Sequence, residues 1–153
     1  NYCKAFGSRV LVYDPYKTAK DEVVEQLDEI HAVLTQSDIV ALNVHVTDET
    51  YQMIDKITLS KMKSNVLLVN TSRGDIINEN DLVDFLKKNP ESMFGTDVLA
   101  DEVRNRLGSP ILAFAKESQQ VILTQHIGGM TRDAQEIAYQ HAANLLRKFY
   151  YGK

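Results

Sequence analysis

Cysteine is almost missing from this sequence, in which Cys3 is the only one among 153 residues. A single cysteine excludes an internal disulfide and a cluster of thiolates around a metal ion. The histidines, aspartates and glutamates show no spacing of the zinc or EF-hand kind, so we expect no metal site. Such cysteine usage is typical of a reducing compartment, and we therefore expect a cytoplasmic protein.

An excess of positive charge is missing as well. The 17 lysines and arginines are outnumbered by 21 acidic residues, and the formal net charge is −4 at pH 7. Nucleic acids and anionic membrane surfaces attract basic proteins. We therefore expect no nucleic acid and no membrane among the partners.

Long hydrophobic runs are also lacking. The longest ones, such as residues 39–46 and 65–69, are far below the roughly 18 residues that a transmembrane helix needs. No internal repeat or linker-like stretch divides the chain. With 44% hydrophobic and 25% charged residues, the composition fits one soluble globular domain.

Short apolar segments recur along the chain and predict strands. Nearly every position in them is apolar, which is typical of parallel strands that are buried on both faces. Five such segments occur, at residues 9–13, 38–44, 64–70, 93–98 and 120–124. Segments with helical spacing lie between them. This alternation predicts an α/β fold with a parallel sheet and βαβ connections.

The last helical segment shows a clear pattern. Its apolar residues, spread over residues 134–149, fall on one face, and Thr131 stands where an N-cap is expected. An earlier helix carries the apolar residues of segment 82–86. Asn78 or Asn80 suits its N-cap in the same way.

Polar residues follow four of the predicted strands at their carboxyl ends. They are Asp14, Arg73, Asp97 and His126. In open α/β sheets, ligands bind outside the carboxyl ends of the strands. We therefore expect the two carboxylates, the guanidinium and the imidazole to share one edge of the sheet.

Asp14 stands where a dinucleotide-binding fold places the carboxylate that binds the adenosine ribose, and its charge favours NAD over NADP. Together with Pro15 it equally suits the start of a turn. A Gly-x-Gly-x-x-Gly loop belongs about 20 residues before such an acid. The position about 20 residues before Asp14 lies before the first residue of this sequence, and none of its seven glycines can form that loop. Either the loop lies upstream or the NAD interpretation is wrong.

Three side chains suit chemistry on a small acid. Arg73 offers a planar fork for a carboxylate. His126 can give or take the proton on a substrate oxygen, as carbonyl–alcohol interconversion by hydride transfer requires. Glu102 lies in the longest irregular stretch, residues 100–117, where we expect a functional loop, and it can orient the imidazole and favour its charged form. Each residue also has a simpler explanation when it is taken singly. Arg73 suits a surface salt bridge, His126 suits a structural role, and Glu102 suits a solvated position in a loop.

Four ordered motifs make the chain resemble a known family. They occupy residues 10–15, 70–74, 95–102 and 124–131. In order and spacing they are similar to the NAD-binding domain of the D-isomer-specific 2-hydroxyacid dehydrogenases, the family of phosphoglycerate dehydrogenase. The resemblance spans essentially the whole chain. It implies a Rossmann-like doubly wound parallel sheet and NAD as the cofactor.

The resemblance also implies a role for each candidate residue. Carried over by position, Arg73 binds the substrate carboxylate, His126 is the acid/base, and Glu102 is its partner. Asp14 binds the adenosine ribose, and the loop that begins at Asn43 borders the adenine. The remaining positions implied to contact the cofactor are Thr71, Ser72, Asp97, His126 and Gly128.

The start of the chain departs from the family pattern. Residues 1–6 resemble the end of the helix that follows the glycine-rich loop. We therefore expect residues 1–153 to be an N-terminally truncated, partial NAD-binding domain, in which the first strand and that loop are missing. The helix at residues 131–150 would lead back to a substrate domain. By this reasoning the chain is a segment of a longer polypeptide and is inactive alone.

The function implied by the resemblance is that of an NAD-dependent oxidoreductase, which interconverts a D-2-hydroxy acid and a 2-oxo acid. Formate dehydrogenases of the same superfamily lack the glutamate partner, so Glu102 favours a hydroxyacid substrate. The partners implied are a small 2-hydroxy or 2-oxo acid and a second copy of the chain in a homodimer. The alternative is an NAD(H)-sensing or corepressor-like binding module without turnover.

Overall fold

The computed structural model of this chain describes residues 2–21 and 23–152. The strands within these ranges are Val10–Val12 (β1), Val24–Gln26 (β2), Ile39–Leu42 (β3), Leu67–Asn70 (β4), Met93–Thr96 (β5) and Val121–Leu123 (β6). The α-helices there are Tyr2–Ala5 (α1), Ile30–Gln36 (α2), Lys56–Leu59 (α3), Glu79–Lys88 (α4), Glu102–Asn105 (α5), Pro110–Ala115 (α6) and Arg132–Tyr151 (α7). Short 3-10 turns cover Gly74–Ile76 and Arg106–Gly108.

The strands pair in parallel, as predicted. β3, β4, β5 and β6 form one sheet in that order, and β1 pairs with β2 in a second sheet. Asn70 at the end of β4 is level with Leu42 of β3 and with Thr96 of β5. Thr96 is in turn level with Leu123 of β6. The carboxyl ends of the four strands therefore lie along one edge, and the α/β fold with a parallel sheet is confirmed.

Each of the five predicted strands is present inside its expected bounds, but the sequence pattern missed β2. That strand has three residues, and two of them, Glu25 and Gln26, are polar, so no apolar run marks it. Its pairing with β1 places Val24 level with Val10. Only this long-range pairing identifies the segment as a strand.

The hydrophobic core lies on one face of the larger sheet. Val40, Leu42, Leu68 and Phe94 are at most 6% exposed, and burial of such side chains stabilises the fold by about 1.5–3 kcal/mol each. They share a single cluster with residues of four helices, namely Leu34, Leu59, Leu82, Leu86 and Ile111. The alternate positions are open by comparison, since Ile39 is 63% exposed. The prediction of strands buried on both faces is therefore wrong for β3 and also for β6, in which Ile122 is 60% exposed, because no described helix covers these side chains.

The predicted caps are present. Asn78 accepts a hydrogen bond from the amide of Asp81 (3.2 Å) at the start of α4. Thr131 accepts one from the amide of Ala134 (3.2 Å) at the start of α7. Of the two asparagines that suited the cap of α4, Asn78 takes the position, because Asn80 already lies inside the helix.

The stretch expected to be irregular, residues 100–117, is largely helical. It contains α5, the second 3-10 turn and α6. Ser109 caps α6 by accepting a hydrogen bond from the amide of Leu112 (3.1 Å), and Pro110 stands in the first turn. Proline is favoured there because its fixed φ suits a helix start. The Ser-Pro pair thus begins a helix, which corrects the prediction of a long irregular loop.

Both terminal segments are helical, as expected. At the start, α1 agrees with the helical interpretation of residues 1–6. At the end, α7 runs for 20 residues and has no buried side chain, with Phe149 82% exposed. No helix within the described ranges combines the length and the apolar character that crossing a bilayer requires. Residues 1, 22 and 153 of the predicted domain 1–153 lie outside the described residues.

Candidate active site

The candidate residues of the larger sheet follow the aligned ends of its strands. Arg73 comes three residues after the end of β4, Asp97 directly follows β5, and His126 comes three residues after the end of β6. Because these strand ends are level with one another, the residues after them share one edge of the sheet. The common edge is thus present for Arg73, Asp97 and His126, but the prediction is wrong for Asp14, because Asp14 follows β1, which belongs to the separate smaller sheet.

His126 and Glu102 form a pair at this edge. Nδ1 of the imidazole contacts Oε1 of the carboxylate directly. The other oxygen, Oε2, accepts a hydrogen bond from the amide of Leu99 (3.1 Å). The His126 side chain is 46% exposed and that of Glu102 23%, so the ring is held on one side and open to a ligand on the other. The pairing proposed from sequence is present.

The backbone is unusual at His126 and at the residue that precedes Glu102. His126 has φ 57° and Asp101, which precedes Glu102, has φ 48°. Side chains other than glycine rarely adopt such values, although aspartate and histidine do so more often than most. Strained backbone of this kind persists only where its surroundings hold it, and it is concentrated at functional sites.

Asp97 holds the turn that follows His126. Its Oδ1 accepts a hydrogen bond from the amide of Ile127 (3.0 Å), its Oδ2 accepts one from the amide of Gly128 (2.8 Å), and the Thr124 hydroxyl donates to Oδ1. Burial raises the pKa of Asp97, but the hydrogen bonds from Thr124, Gly128 and Ile127 together outweigh it, so the pKa lies below its ordinary value. The carboxylate therefore stays charged and bonds to residues on both sides of His126 in the chain, to Thr124 before it and to Ile127 and Gly128 after it.

Arg73 is exposed at the end of a short, tightly bonded turn. Its Nη1 donates to the carbonyl of Ser72 (2.7 Å), and its own carbonyl accepts from Nδ2 of Asn70 (2.8 Å). The side chain thus lies along its own turn and keeps further guanidinium donors for a ligand. Its position follows from the buried amide of Asn70, which is 1% exposed.

A glycine brings the turn of Arg73 against the segment that carries Glu102. A Cβ built on Gly74 would stand 1.9 Å from the carbonyl carbon of Leu99 and 2.1 Å from the nitrogen of Ala100. Only glycine allows two backbones to approach so closely. Since Leu99 also donates to Glu102, Arg73 and the His126–Glu102 pair belong to one packed unit. Sequence reasoning missed Gly74, for which its position next to Arg73 was the only signal.

The other predicted cofactor positions of the larger sheet lie beside this unit. Ser72 is engaged, because its hydroxyl donates to the carbonyl of Leu42 (2.8 Å) and its amide donates to Oδ1 of Asn70 (3.0 Å). Thr71 and Asn43 are exposed, and each comes directly after the end of its strand. Ser72 therefore joins the ends of β3 and β4, while the other two side chains face solvent.

Asp14 follows β1 of the smaller sheet. Its Oδ1 accepts hydrogen bonds from the amides of Tyr16 (2.9 Å) and Lys17 (3.0 Å), so the turn considered from sequence is present. The same residues line an open cleft of about 410 Å³. Gln26, which sequence reasoning missed because it belongs to β2, supports this turn by donating to the carbonyls of Asp14 (3.2 Å) and Lys17 (2.8 Å). Asp14 thus forms a turn and also borders a cleft.

Within residues 2–21 and 23–152, no three histidine, cysteine, aspartate or glutamate side chains are grouped so that they could hold a metal ion. The groups available for chemistry at the edge are thus an imidazole paired with a carboxylate, a second carboxylate and a guanidinium. This set can bind an anionic substrate and transfer a proton.

The chain matches proteins of known activity. Residues 1–128 match the family described as D-isomer specific 2-hydroxyacid dehydrogenase, NAD binding domain. The hydroxypyruvate reductase of Thermotoga maritima is 34% identical over 136 residues, which are 86% of this chain and 42% of that protein. The D-3-phosphoglycerate dehydrogenase of Methanocaldococcus jannaschii is 31% identical over 153 residues, which are 98% of this chain and 28% of that protein.

A solved structure has the same fold. The D-lactate dehydrogenase of Aquifex aeolicus, crystallised with NAD and lactic acid, superposes with a TM-score of 0.82 at 30% identity, over 99% of this chain and 49% of that one. The chain thus spans about half or less of the length of these relatives. It belongs to the D-isomer-specific 2-hydroxyacid dehydrogenase family, as its NAD-binding domain, which confirms the Rossmann-like fold and NAD as the cofactor.

Proposed function

We propose that this chain is the NAD-binding part of an oxidoreductase that interconverts a D-2-hydroxy acid and a 2-oxo acid by hydride transfer. The observation that carries the proposal is the contact between His126 Nδ1 and Glu102 Oε1 at the edge of the sheet. An imidazole oriented by a carboxylate is the arrangement that proton transfer to a substrate oxygen needs. The family and the relatives named above support the same reaction class.

His126 handles the proton in this proposal. A carboxylate at Nδ1 favours the tautomer with hydrogen on that nitrogen, which leaves Nε2 as the atom that faces the substrate. When a 2-oxo acid is reduced, protonated Nε2 gives its proton to the carbonyl oxygen, and Glu102 stabilises the charge of the imidazolium before transfer. In the reverse direction Nε2 takes the proton from the hydroxyl.

Arg73 holds the substrate carboxylate. One guanidinium nitrogen is oriented by the carbonyl of Ser72, and the free donors form a planar fork that suits two parallel hydrogen bonds to a carboxylate. The close approach at Gly74 couples this fork to the segment of Glu102. Substrate binding and proton transfer are therefore built on one rigid unit.

The residues present suit NAD. Asp14 keeps Oδ2 free of hydrogen bonds among the described residues, since only Oδ1 accepts from its turn, and a free carboxylate oxygen beside a cleft is the acceptor that a ribose hydroxyl needs. Its negative charge also disfavours the additional phosphate of NADP. When bound, NAD supplies the site that accepts or gives the hydride.

Other expectations enter the proposal with this cofactor. Asn43 borders the adenine, and the residues beside the nicotinamide are Thr71, Ser72, Asp97, His126 and Gly128. We propose that Asp97 positions His126, since its two carboxylate oxygens accept hydrogen bonds from the turn that follows His126. The helix at 131–150 leads back to a substrate domain, and the working protein is a cytoplasmic homodimer.

Steady-state kinetics of the complete protein with a panel of 2-oxo acids and NADH tests the proposal. We expect His126→Ala to lower kcat by about 100-fold or more, and Arg73→Ala to raise KM for the acid by about 100-fold. His31→Ala and Arg132→Ala, two exposed substitutions of the same types, serve as controls and should leave turnover unchanged. Unchanged turnover in His126→Ala contradicts the proposal. Binding of NADH without turnover of any oxo acid would instead favour a sensing or corepressor-like module.

A further inference from the structure

We propose that Glu79 is a positioning residue that holds Glu102 against His126, an inference that rests on the function proposed above. Glu79 is the first residue of α4 and is only 8% exposed. Its side-chain hydrogen bonds within the described residues go to Ala100 and Ser109, and none goes to Arg73, Glu102 or His126. Its carboxylate instead accepts hydrogen bonds from both ends of the segment of chain that carries Glu102.

The burial of Glu79 has no explanation in charge pairing. Among residues 2–21 and 23–152, the ion pairs join Arg9 to Glu25, Lys63 to Asp38 and His126 to Glu102. A buried carboxylate without a basic partner is costly unless hydrogen bonds satisfy it. Its position at the N-terminus of α4 favours its negative charge. The remaining compensation comes from two hydrogen bonds that reach far along the chain.

Those two hydrogen bonds bracket the Glu102 segment. Oε1 of Glu79 accepts from the amide of Ala100 (2.8 Å), and Oε2 accepts from the hydroxyl of Ser109 (2.6 Å). Ala100 lies two residues before Glu102 and Ser109 seven residues after it. One carboxylate thus bridges the two ends of segment 100–109, which contains α5 and the second 3-10 turn.

The first of these bonds is linked closely to the catalytic pair. The adjacent amides of Leu99 and Ala100 are shared between two carboxylates, since Leu99 donates to Glu102 Oε2 (3.1 Å) and Ala100 donates to Glu79 Oε1 (2.8 Å). Asp101, with φ 48°, lies between the second amide and Glu102. Such backbone needs fixed neighbours on both sides to persist. Before Asp101, Glu79 supplies a fixed point beside the Gly74 contact, and the Asp101 amide also donates to Oδ1 of Asp75 (3.4 Å). After Asp101, the His126 contact supplies the fixed point.

Loss of Glu79 removes the acceptor of the Ala100 amide, and the inference predicts that the unfavourable backbone at Asp101 then relaxes. Glu102 then leaves Nδ1 of His126, and the imidazole loses its preferred tautomer. Nuclear magnetic resonance of the complete protein, labelled with ¹⁵N in histidine, reports this directly, because the two ring nitrogens of a neutral imidazole differ strongly in shift. His126→Gln assigns the signal.

The variants are Glu79→Gln and Glu79→Ala, with Glu102→Gln as the reference for a lost contact. Asp55→Asn is the matched control, since Asp55 caps α3 through the amides of Ile57 and Thr58 (3.0 and 2.9 Å) and its loss is purely structural. In the wild type we expect one Nδ1–H tautomer of His126. Glu79→Ala should give averaged nitrogen shifts like those of Glu102→Gln, Glu79→Gln should lie between, and Asp55→Asn should match the wild type.

A folded Glu79→Ala variant with the wild-type tautomer overturns the inference. If Glu79→Ala does not fold, Glu79→Gln decides: it keeps an acceptor for Ala100 and loses the one for Ser109, so intermediate His126 nitrogen shifts support the inference and wild-type shifts overturn it. In kinetics, the inference predicts that kcat falls by about 10-fold or more in Glu79→Ala, while the Kd for NADH changes by less than about 2-fold. A rise in Kd with unchanged kcat also contradicts it.

The same experiment separates this inference from the proposed function. The tautomer of His126 is measured without substrate, so an altered tautomer in a protein that turns over no oxo acid keeps the positioning role and rejects the dehydrogenase. An unaltered tautomer in an active enzyme rejects the positioning role alone.

Discussion

Gly128 lies directly against the carboxylate of Asp97. Its amide donates to Oδ2 of Asp97 at 2.8 Å, and a Cβ on Gly128 would stand 3.0 Å from that same oxygen. The glycine comes two residues after His126, so this contact sets the path of the chain as it leaves the imidazole. A carboxylate and a missing side chain thus jointly determine where the acid/base residue lies.

The first prediction concerns this contact. Gly128→Ala forces Asp97 or the turn to shift by a few tenths of an ångström, and overpacking of this kind costs about 1–3 kcal/mol. We expect a lower free energy of unfolding in urea titrations. Gly129→Ala is the matched control, because a Cβ there meets nothing within 4 Å. Equal stability of the two variants would contradict the contact.

The second prediction concerns Gly74. A Cβ there meets backbone atoms of Leu99 and Ala100 at 1.9–2.2 Å, which no side-chain rotation relieves. We expect Gly74→Ala to destabilise the fold by about 3 kcal/mol and to displace the Glu102 segment. Thermal unfolding checks the first effect and the ¹⁵N shifts of His126 check the second. Gly95→Ala, whose Cβ would meet only Val69 Cγ2 at 4.0 Å, should preserve the His126 shifts.

The third prediction concerns pH and Asp97. Its pKa is lowered in the folded protein by hydrogen bonds that outweigh its burial. The charged carboxylate therefore contributes stability above the unfolded pKa of about 3.9, and this stability is lost as pH falls through the lower folded pKa. Asp97→Asn should thus lower the free energy of unfolding at pH 7, by about 1–3 kcal/mol.

The difference from wild type should shrink as the pH is lowered from about 5 toward 2. Urea unfolding at several pH values measures it. Asp84→Asn, a change at an exposed aspartate of α4, is the control and should have little effect throughout. A difference for Asp97→Asn that grows toward acid would show that its charge opposes folding.

The fourth prediction separates the two parts that Asp14 plays. Asp14→Asn keeps an oxygen for the amides of Tyr16 and Lys17 but removes the charge. We expect it to keep the turn, to weaken NADH binding by about 10-fold, roughly 1.4 kcal/mol, and to reduce the preference over NADPH. Asp14→Ala loses the turn as well and should weaken NADH binding further. Fluorescence titration with both nucleotides provides the Kd values, and equal NADH affinity in all three proteins would exclude the carboxylate from the cofactor site.

Much of the fold was predictable from local patterns. Apolar runs marked β1 and β3 to β6, although in β3 only the alternate residues Val40 and Leu42 are buried. Asn78 and Thr131 marked helix starts, because their side chains satisfy free amides within three residues. β2, α5 and α6 were missed. β2 and α5 carry little apolar signal, and Ser109-Pro110 reads equally as a turn or as a helix cap.

The candidate site divides in the same way. The residue types Arg73, Glu102 and His126, and their order after the strands, could be read from the sequence, because parallel strands bring their carboxyl ends to one edge whatever the distance along the chain. The residues that hold these three side chains in place could not be read from the sequence. Glu79 and Ser109 are 30 residues apart, and the Gly74 contact depends on a backbone 25 residues away. Composition and order thus determined the chemistry, whereas tertiary packing decided its geometry, since hydrogen bonds and close approaches between distant segments form only when the whole sheet has been assembled.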